Sequence, residues 1–231
     1  MSTLNQLEEM IFLVAKALGH ELLQEVAFLG GSVTGLLLTD NITKEAVRYT
    51  DDVDLITNVI GRPQWVKFQE RLRKQGFRES IEDDINCRMR LKNLIVDFMP
   101  DDENILGYTN RWYKQALKDA TPYNLRDKLI IQLVTPVHFI ATKLEAYKGR
   151  GNNDPMQSRD IEDILNIFDG REEIAQEIEQ YSDDVKGYIS EEIAKLLSNQ
   201  DFEYAVQSAS QNQPEREALI FSRLEKVAHY N

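Results

Sequence analysis

The segment Thr50-Asp51-Asp52-Val53-Asp54-Leu55 sets acids at alternate positions. In an extended strand, alternate residues share a face, so Asp52 and Asp54 point together while Val53 and Leu55 enter the core. Two adjacent carboxylates repel and raise each other's pKa unless a cation sits between them. Their hard oxygens suit Mg²⁺ or Mn²⁺, although a solvated acidic strand edge carries the same pattern. Shifting the register to Asp51-x-Val53 breaks the pair, so Asp52 and Asp54 form it. A third acid, Asp97, lies inside the apolar run Leu94–Met99. Burying it unpaired is costly. A metal shared with Asp52 and Asp54 relieves that cost, and so does a salt bridge to Arg88 or Arg90. Upstream, Gly30-Gly31-Ser32 follows the apolar stretch Val26–Leu29. Glycines let backbone approach a phosphate, amides at a helix start bind anions, and the Ser32 hydroxyl adds a donor. An ordinary tight turn has the same composition.

These residues need elements to position them. Leu7, Met10, Ile11, Val14 and Leu18 mark a helix over 4–18 that Gly19 ends. Strands are expected at 26–29, 52–59, 77–81, 87–91 and 94–99, with Lys92-Asn93 as a tight turn. A helix opens at Arg62-Pro63, buries Trp65, Phe68 and Leu72, and closes at Gly76. Residues 110–118 read as a helix and 124–134 as one or two strands. Thr135-Pro136 starts a helix running to Lys148. A loop over 149–157 leads to a helix capped by Ser158 and ending near Gly170. The remainder to 228 is helical in pattern. The expected architecture is α+β: an α/β domain over 1–134 with an N-terminal helix, then a helical domain over 135–231.

The chain has 231 residues with 27 Lys+Arg against 39 Asp+Glu, a net charge of −12. That excludes holding nucleic acid by overall positive charge, though not by a local basic groove. Residues 62–92 hold 9 basic and 5 acidic side chains, and 107–150 hold 8 and 3, whereas 171–231 hold 13 acidic and 6 basic. An anionic substrate is therefore expected in the first 170 residues. The single cysteine, Cys87, excludes a disulfide framework and a cysteine-based zinc site. The start carries acid where a signal peptide needs base, and no apolar run spans a bilayer, so no membrane and a cytoplasmic compartment are the expectation.

Gly-Gly-Ser, then Asp-x-Asp, then a third Asp on a later strand resembles the DNA polymerase β-like nucleotidyltransferase superfamily over about residues 26–99. The resemblance implies a small mixed sheet flanked by helices, with divalent ions between the carboxylates and a nucleoside triphosphate. Asp52 and Asp54 match the metal ligands, and Gly30, Gly31 and Ser32 match the phosphate-holding turn. Asp97 matches the third carboxylate, which takes the proton from the attacking hydroxyl or orients it, and also counts as a metal ligand.

Lys143-Leu144-Glu145-Ala146-Tyr147, Arg150 and Ser158-Arg159-Asp160-Ile161-Glu162-Asp163 extend the resemblance to the AbiEii/MenT toxin-like branch, over about residues 26–169. That branch has a Lys in one helix and an Asp at the start of a later one. Lys143 matches the Lys, as a ligand for the triphosphate that offsets its charge; the alternative is a snorkelling side chain. Asp160 or Asp163 matches the Asp. Ile161, Ile164, Leu165 and Phe168 define the buried stripe. Asp160 borders it and Asp163 points further toward solvent, which favours Asp160, although Asp160 also suits a helix dipole. Arg48 either reaches the γ-phosphate or lies on the surface. Tyr147 and Arg150 share the face of Lys143 and are placed to touch base or acceptor.

The expected activity is metal-dependent transfer of a nucleoside monophosphate to an acceptor hydroxyl. By resemblance the acceptor is RNA, a tRNA 3′ end first, and the protein is a toxin with an antitoxin partner. The rival readings are a small-molecule nucleotidyltransferase of the aminoglycoside type, whose cationic substrate suits an acidic surface, and a non-catalytic binding module.

Overall fold

Six short strands pair into one mixed sheet in a computed structural model that describes residues 2–81, 83 and 86–230. They are β1 (Val26–Leu29), β2 (Asp52–Thr57), β3 (Arg88–Leu91), β4 (Leu94–Pro100), β5 (Thr121–Asn124) and β6 (Ile130–Leu133). Their spatial order is β3-β4-β2-β1-β6-β5. The helices are α1 (Thr3–Leu23), α2 (Thr34–Leu37), α3 (Asn41–Glu45), α4 (Gly61–Lys74), α5 (Glu103–Leu106) and α6 (Tyr113–Lys118). They continue as α7 (Pro136–Arg150), α8 (Arg159–Gly170), α9 (Ile174–Glu179), α10 (Asp183–Leu197), α11 (Gln200–Ala209) and α12 (Pro214–Ala228). The class is α+β, and among the described residues no helix is long and apolar enough to cross a membrane.

The chain forms two compact units. One comprises Met1–Val33 with Arg48–Thr135, the other Thr34–Val47 with Pro136–Asn231. In the first, β2 alternates half-buried Asp52 and Asp54 with buried Val53 and Leu55, the period of two expected of a strand with one face in the core. It pairs antiparallel with β1 and parallel with β4. Phe98 of β4 anchors the core, with Phe77 edge-on at 5.4 Å and Phe68 of α4 at 5.8 Å. Helix α4 buries Trp65, Phe68 and Leu72, the expected stripe.

Gly19 ends the first helical run as expected, with a non-helical backbone (φ 70°, ψ 173°), and a short second run that buries Leu22 and Leu23 completes α1. One expectation changes here. Residues 77–81 contribute only a bridge between Arg78 and Arg90. Phe77 goes to the core and Ile81 is fully exposed, so the segment lacks a face to pair along. Residues 124–134 hold one whole strand, β6, within the one or two expected, and β5 starts earlier, at Thr121.

In the second unit, Ser158 caps α8 by accepting from the Ile161 amide at 3.3 Å. The segment 34–47, which the sequence reading leaves in the first half, packs here. The amides of Thr39 and Asp40 both donate to the Gly170 carbonyl at 2.9 Å, and Arg171 donates to the Leu37 carbonyl at 2.7 Å. Asp40 caps α3 through the amide and hydroxyl of Thr43, each at 2.7 Å, which hold its carboxyl below the usual range. Gly170 must lack a side chain, since a Cβ there would stand 2.7 Å from Thr43.

Candidate functional site

Sheet register builds the acidic cluster. Asp54 of β2 pairs with Leu29 of β1 on one side and Asp97 of β4 on the other, and Arg88 of β3 sits opposite Asp97. One row across the sheet therefore reads Arg88, Asp97, Asp54, Leu29. Asp52, two residues before Asp54, joins from the same face. Asp52, Asp54 and Asp97 each present a carboxylate oxygen, and these lie within 4.8 Å of one another. Three hard anionic donors at that spacing suit a divalent cation such as Mg²⁺ or Mn²⁺.

Both salt-bridge alternatives for Asp97 resolve in favour of Arg88. Its Nε and Nη2 donate to the two Asp97 carboxylate oxygens at 2.8 and 2.7 Å. Arg90 instead pairs with Asp83. The Asp97 hydrogen bonds hold the Arg88 proton more firmly than usual against the effect of burial, and the charges of Asp97, Asp52 and Asp83 reinforce them. The Thr50 hydroxyl donates to Asp52. Arg88 thus takes the oxygens of one of the three converging carboxylates, Asp97. The neighbouring thiol of Cys87 is pushed up to about 12, first by burial and then by Asp97, so it stays protonated at neutral pH.

Gly30 occupies the end of β1 where the chain turns against this cluster. Its φ is +79°, and a Cβ would come within 1.8 Å of Asp54 Oδ2. Only glycine fits there. Gly31 and Ser32 follow in a 3₁₀ turn, and both are buried. The Ser32 hydroxyl is 2% exposed and has no hydrogen-bond partner among the described residues. An orphaned buried hydroxyl is expensive and invites a ligand oxygen. Arg48 is half-buried and donates from Nη1 to the Tyr49 carbonyl at 3.5 Å. The exposed Asp51 lies outside β2.

The second unit gathers the other predicted residues. Lys143 of α7 is 8% exposed, too buried to be snorkelling. Its ammonium donates to Asp160 Oδ1 at 3.1 Å and Asp163 Oδ2 at 2.6 Å. Arg150 donates to both oxygens of Asp160, at 2.9 and 2.8 Å. Burial pushes the Asp160 carboxyl up, but the Arg150 hydrogen bonds and the charges of Lys143 and Arg150 outweigh it, leaving the group below the usual range. Asp163 corrects the sequence reading. It is fully buried rather than turned to solvent, and it shares Lys143 with Asp160. Two acids and two bases make a neutral quartet. Tyr147 is buried, with its proton held more firmly than usual by burial and then by Asp154 and Asp201.

The predicted residues thus form two groups: Asp52, Asp54 and Asp97 with Gly30 in one unit, Lys143 and Asp160 in the other. Sequence reasoning missed Thr50 as a partner of Asp52, although a hydroxyl two residues away on an extended chain is the available signal. The chain matches no protein-family model and no curated protein.

Proposed function

We propose that the protein is a metal-dependent nucleotidyltransferase of the polymerase β-like fold, moving a nucleoside monophosphate from a nucleoside triphosphate to an acceptor hydroxyl. One observation carries the reading: three carboxylates converge within 4.8 Å beside a glycine turn that admits no side chain. A divalent ion bound there supplies charge neutralisation to the phosphates. Asp52, Asp54 and Asp97 would hold it. Gly30 and Gly31 let the main chain approach the phosphates, and the unpartnered Ser32 hydroxyl donates to a phosphate oxygen. Asp97 orients the attacking hydroxyl or takes its proton. Lys143 and Asp160 enter through the resemblance, Lys143 as a phosphate ligand and Asp160 as the acid that positions it. Arg48, two residues before Thr50, is assigned to the γ-phosphate. Catalysis is mostly positioning and charge neutralisation, since the protein forms no covalent bond.

The acceptor is RNA, with a tRNA 3′ end first, and the protein acts as the toxin of a toxin–antitoxin or abortive-infection pair, neutralised by an antitoxin protein. The locally basic stretches 62–92 and 107–150 support RNA. The acidity of the second unit, 21 acidic against 11 basic residues, favours a cationic small-molecule acceptor as the second reading. The test incubates the protein with Mg²⁺, each labelled nucleoside triphosphate and total tRNA, beside Asp52→Ala/Asp54→Ala. Label on RNA from the wild type alone is the expected result. Nucleotide binding without transfer moves the acceptor to small molecules. Neither binding nor transfer leaves a non-catalytic module.

A further inference from the structure

We propose that Arg88 is a built-in counter-ion that competes with the divalent cation for Asp97 and so sets how tightly the acidic cluster binds it. The inference rests on the metal reading above. Its geometry is independent of that reading. The antiparallel register of β3 on β4 sets Arg88 directly opposite Asp97, and the guanidinium fork takes both carboxylate oxygens. The Arg88 and Asp97 side chains are only 20% and 9% exposed, so water screens the pair weakly. No other cation is paired with Asp97 in the hydrogen bonds and ion pairs of the described residues.

The electrostatic consequence is direct. With Arg88 in place, Asp97 must share its oxygens before it can ligate a metal ion. Without Arg88 the site is one unit more negative and Asp97 is open to the ion. A purely structural arginine predicts the opposite. Its loss would let Asp97 swing away from Asp52 and Asp54, and metal binding would weaken. Arg88 therefore acts as a competitor for Asp97, and its removal should strengthen metal binding.

The test is Mn²⁺ binding to the full chain without nucleotide, followed by electron paramagnetic resonance of the free ion. Arg88→Met, which keeps the aliphatic stem, is expected to bind Mn²⁺ about tenfold more tightly than the wild type, from the added unit of negative charge. Arg88→Lys keeps the charge but loses the fork, and about threefold tighter binding is expected. It carries the test if Arg88→Met fails to fold. In an Asp97→Asn background the gain from Arg88→Met should shrink, because the contested ligand is gone. Unchanged or weaker Mn²⁺ binding in both Arg88 variants, with the wild type binding, overturns the counter-ion and leaves the metal reading intact. Absence of Mn²⁺ binding in the wild type and both variants overturns the metal reading, and this inference with it.

Discussion

The two units solve the same electrostatic problem in opposite ways. In the first, three carboxylates converge and the guanidinium of Arg88 takes the oxygens of Asp97. In the second, two acids, Asp160 and Asp163, meet two bases, Lys143 and Arg150. The overall charges run the other way. The second unit carries 21 acidic and 11 basic residues, the first only 18 and 16. Net charge therefore says little about where a cation is wanted. What matters is whether acids that converge are matched by bases that reach them.

Removing an acid from each cluster breaks this comparison most sharply. Asp163→Asn removes one of the two carboxylates that take the buried Lys143 ammonium, and a loss of about 3–5 kcal/mol is expected, the usual cost of breaking a buried pair. Asp52→Asn relieves repulsion within the acidic cluster instead, and the metal-free protein should gain stability, by about 1 kcal/mol. Thermal unfolding in chelator followed by circular dichroism reads both. Similar losses at the two positions would mean that the first cluster is as fully compensated as the second.

Gly30→Ala probes the packing behind the first cluster. The left-handed backbone alone costs about 1–3 kcal/mol with a Cβ present, and the methyl group must also displace Asp54. The expected result is lower stability together with weaker Mn²⁺ binding. A loss of stability with metal affinity unchanged would show that Asp54 has room to move.

The smallest effect is acid sensitivity. Asp160 sits below its unfolded value of about 3.9, so the stability it provides is complete above that pH and fades as the pH falls through the native value. Arg150→Met removes the hydrogen bonds that lower it. The acid unfolding midpoint should then move to higher pH, and an unmoved midpoint would assign the lowering to Lys143 alone.

The acidic cluster was legible because a strand's period of two is strict: once 52–57 is extended, Asp52 and Asp54 must share a face, and an acid inside Leu94–Met99 demands a partner. Choosing between metal and arginine needed the register of β3 on β4, which no local pattern encodes. Asp163 was misread for a related reason. A single apolar stripe assumes one buried face, yet α8 is buried on more than one side, with Asp160, Asp163 and Asp169 buried alongside Ile161, Ile164 and Phe168. A charge there is hidden by its partner on α7, and periodicity cannot see partners. β5 escaped in part because it is an edge strand, exposed at three of its four residues and carrying Pro122. Its composition resembles a turn.

The placement of residues 34–47 bears on how the protein is made. This segment leaves the ribosome long before Gly170 and Arg171, the groups that hold its backbone. At typical synthesis rates of about 5–20 residues per second, the wait is on the order of ten seconds. Through that interval Leu37, Leu38 and Val47, all buried at the end, lack the helices they finally pack with. The nascent chain must carry them as an unfinished loop between two pieces of the first unit, so the second unit closes only after the chain has been translated past α8.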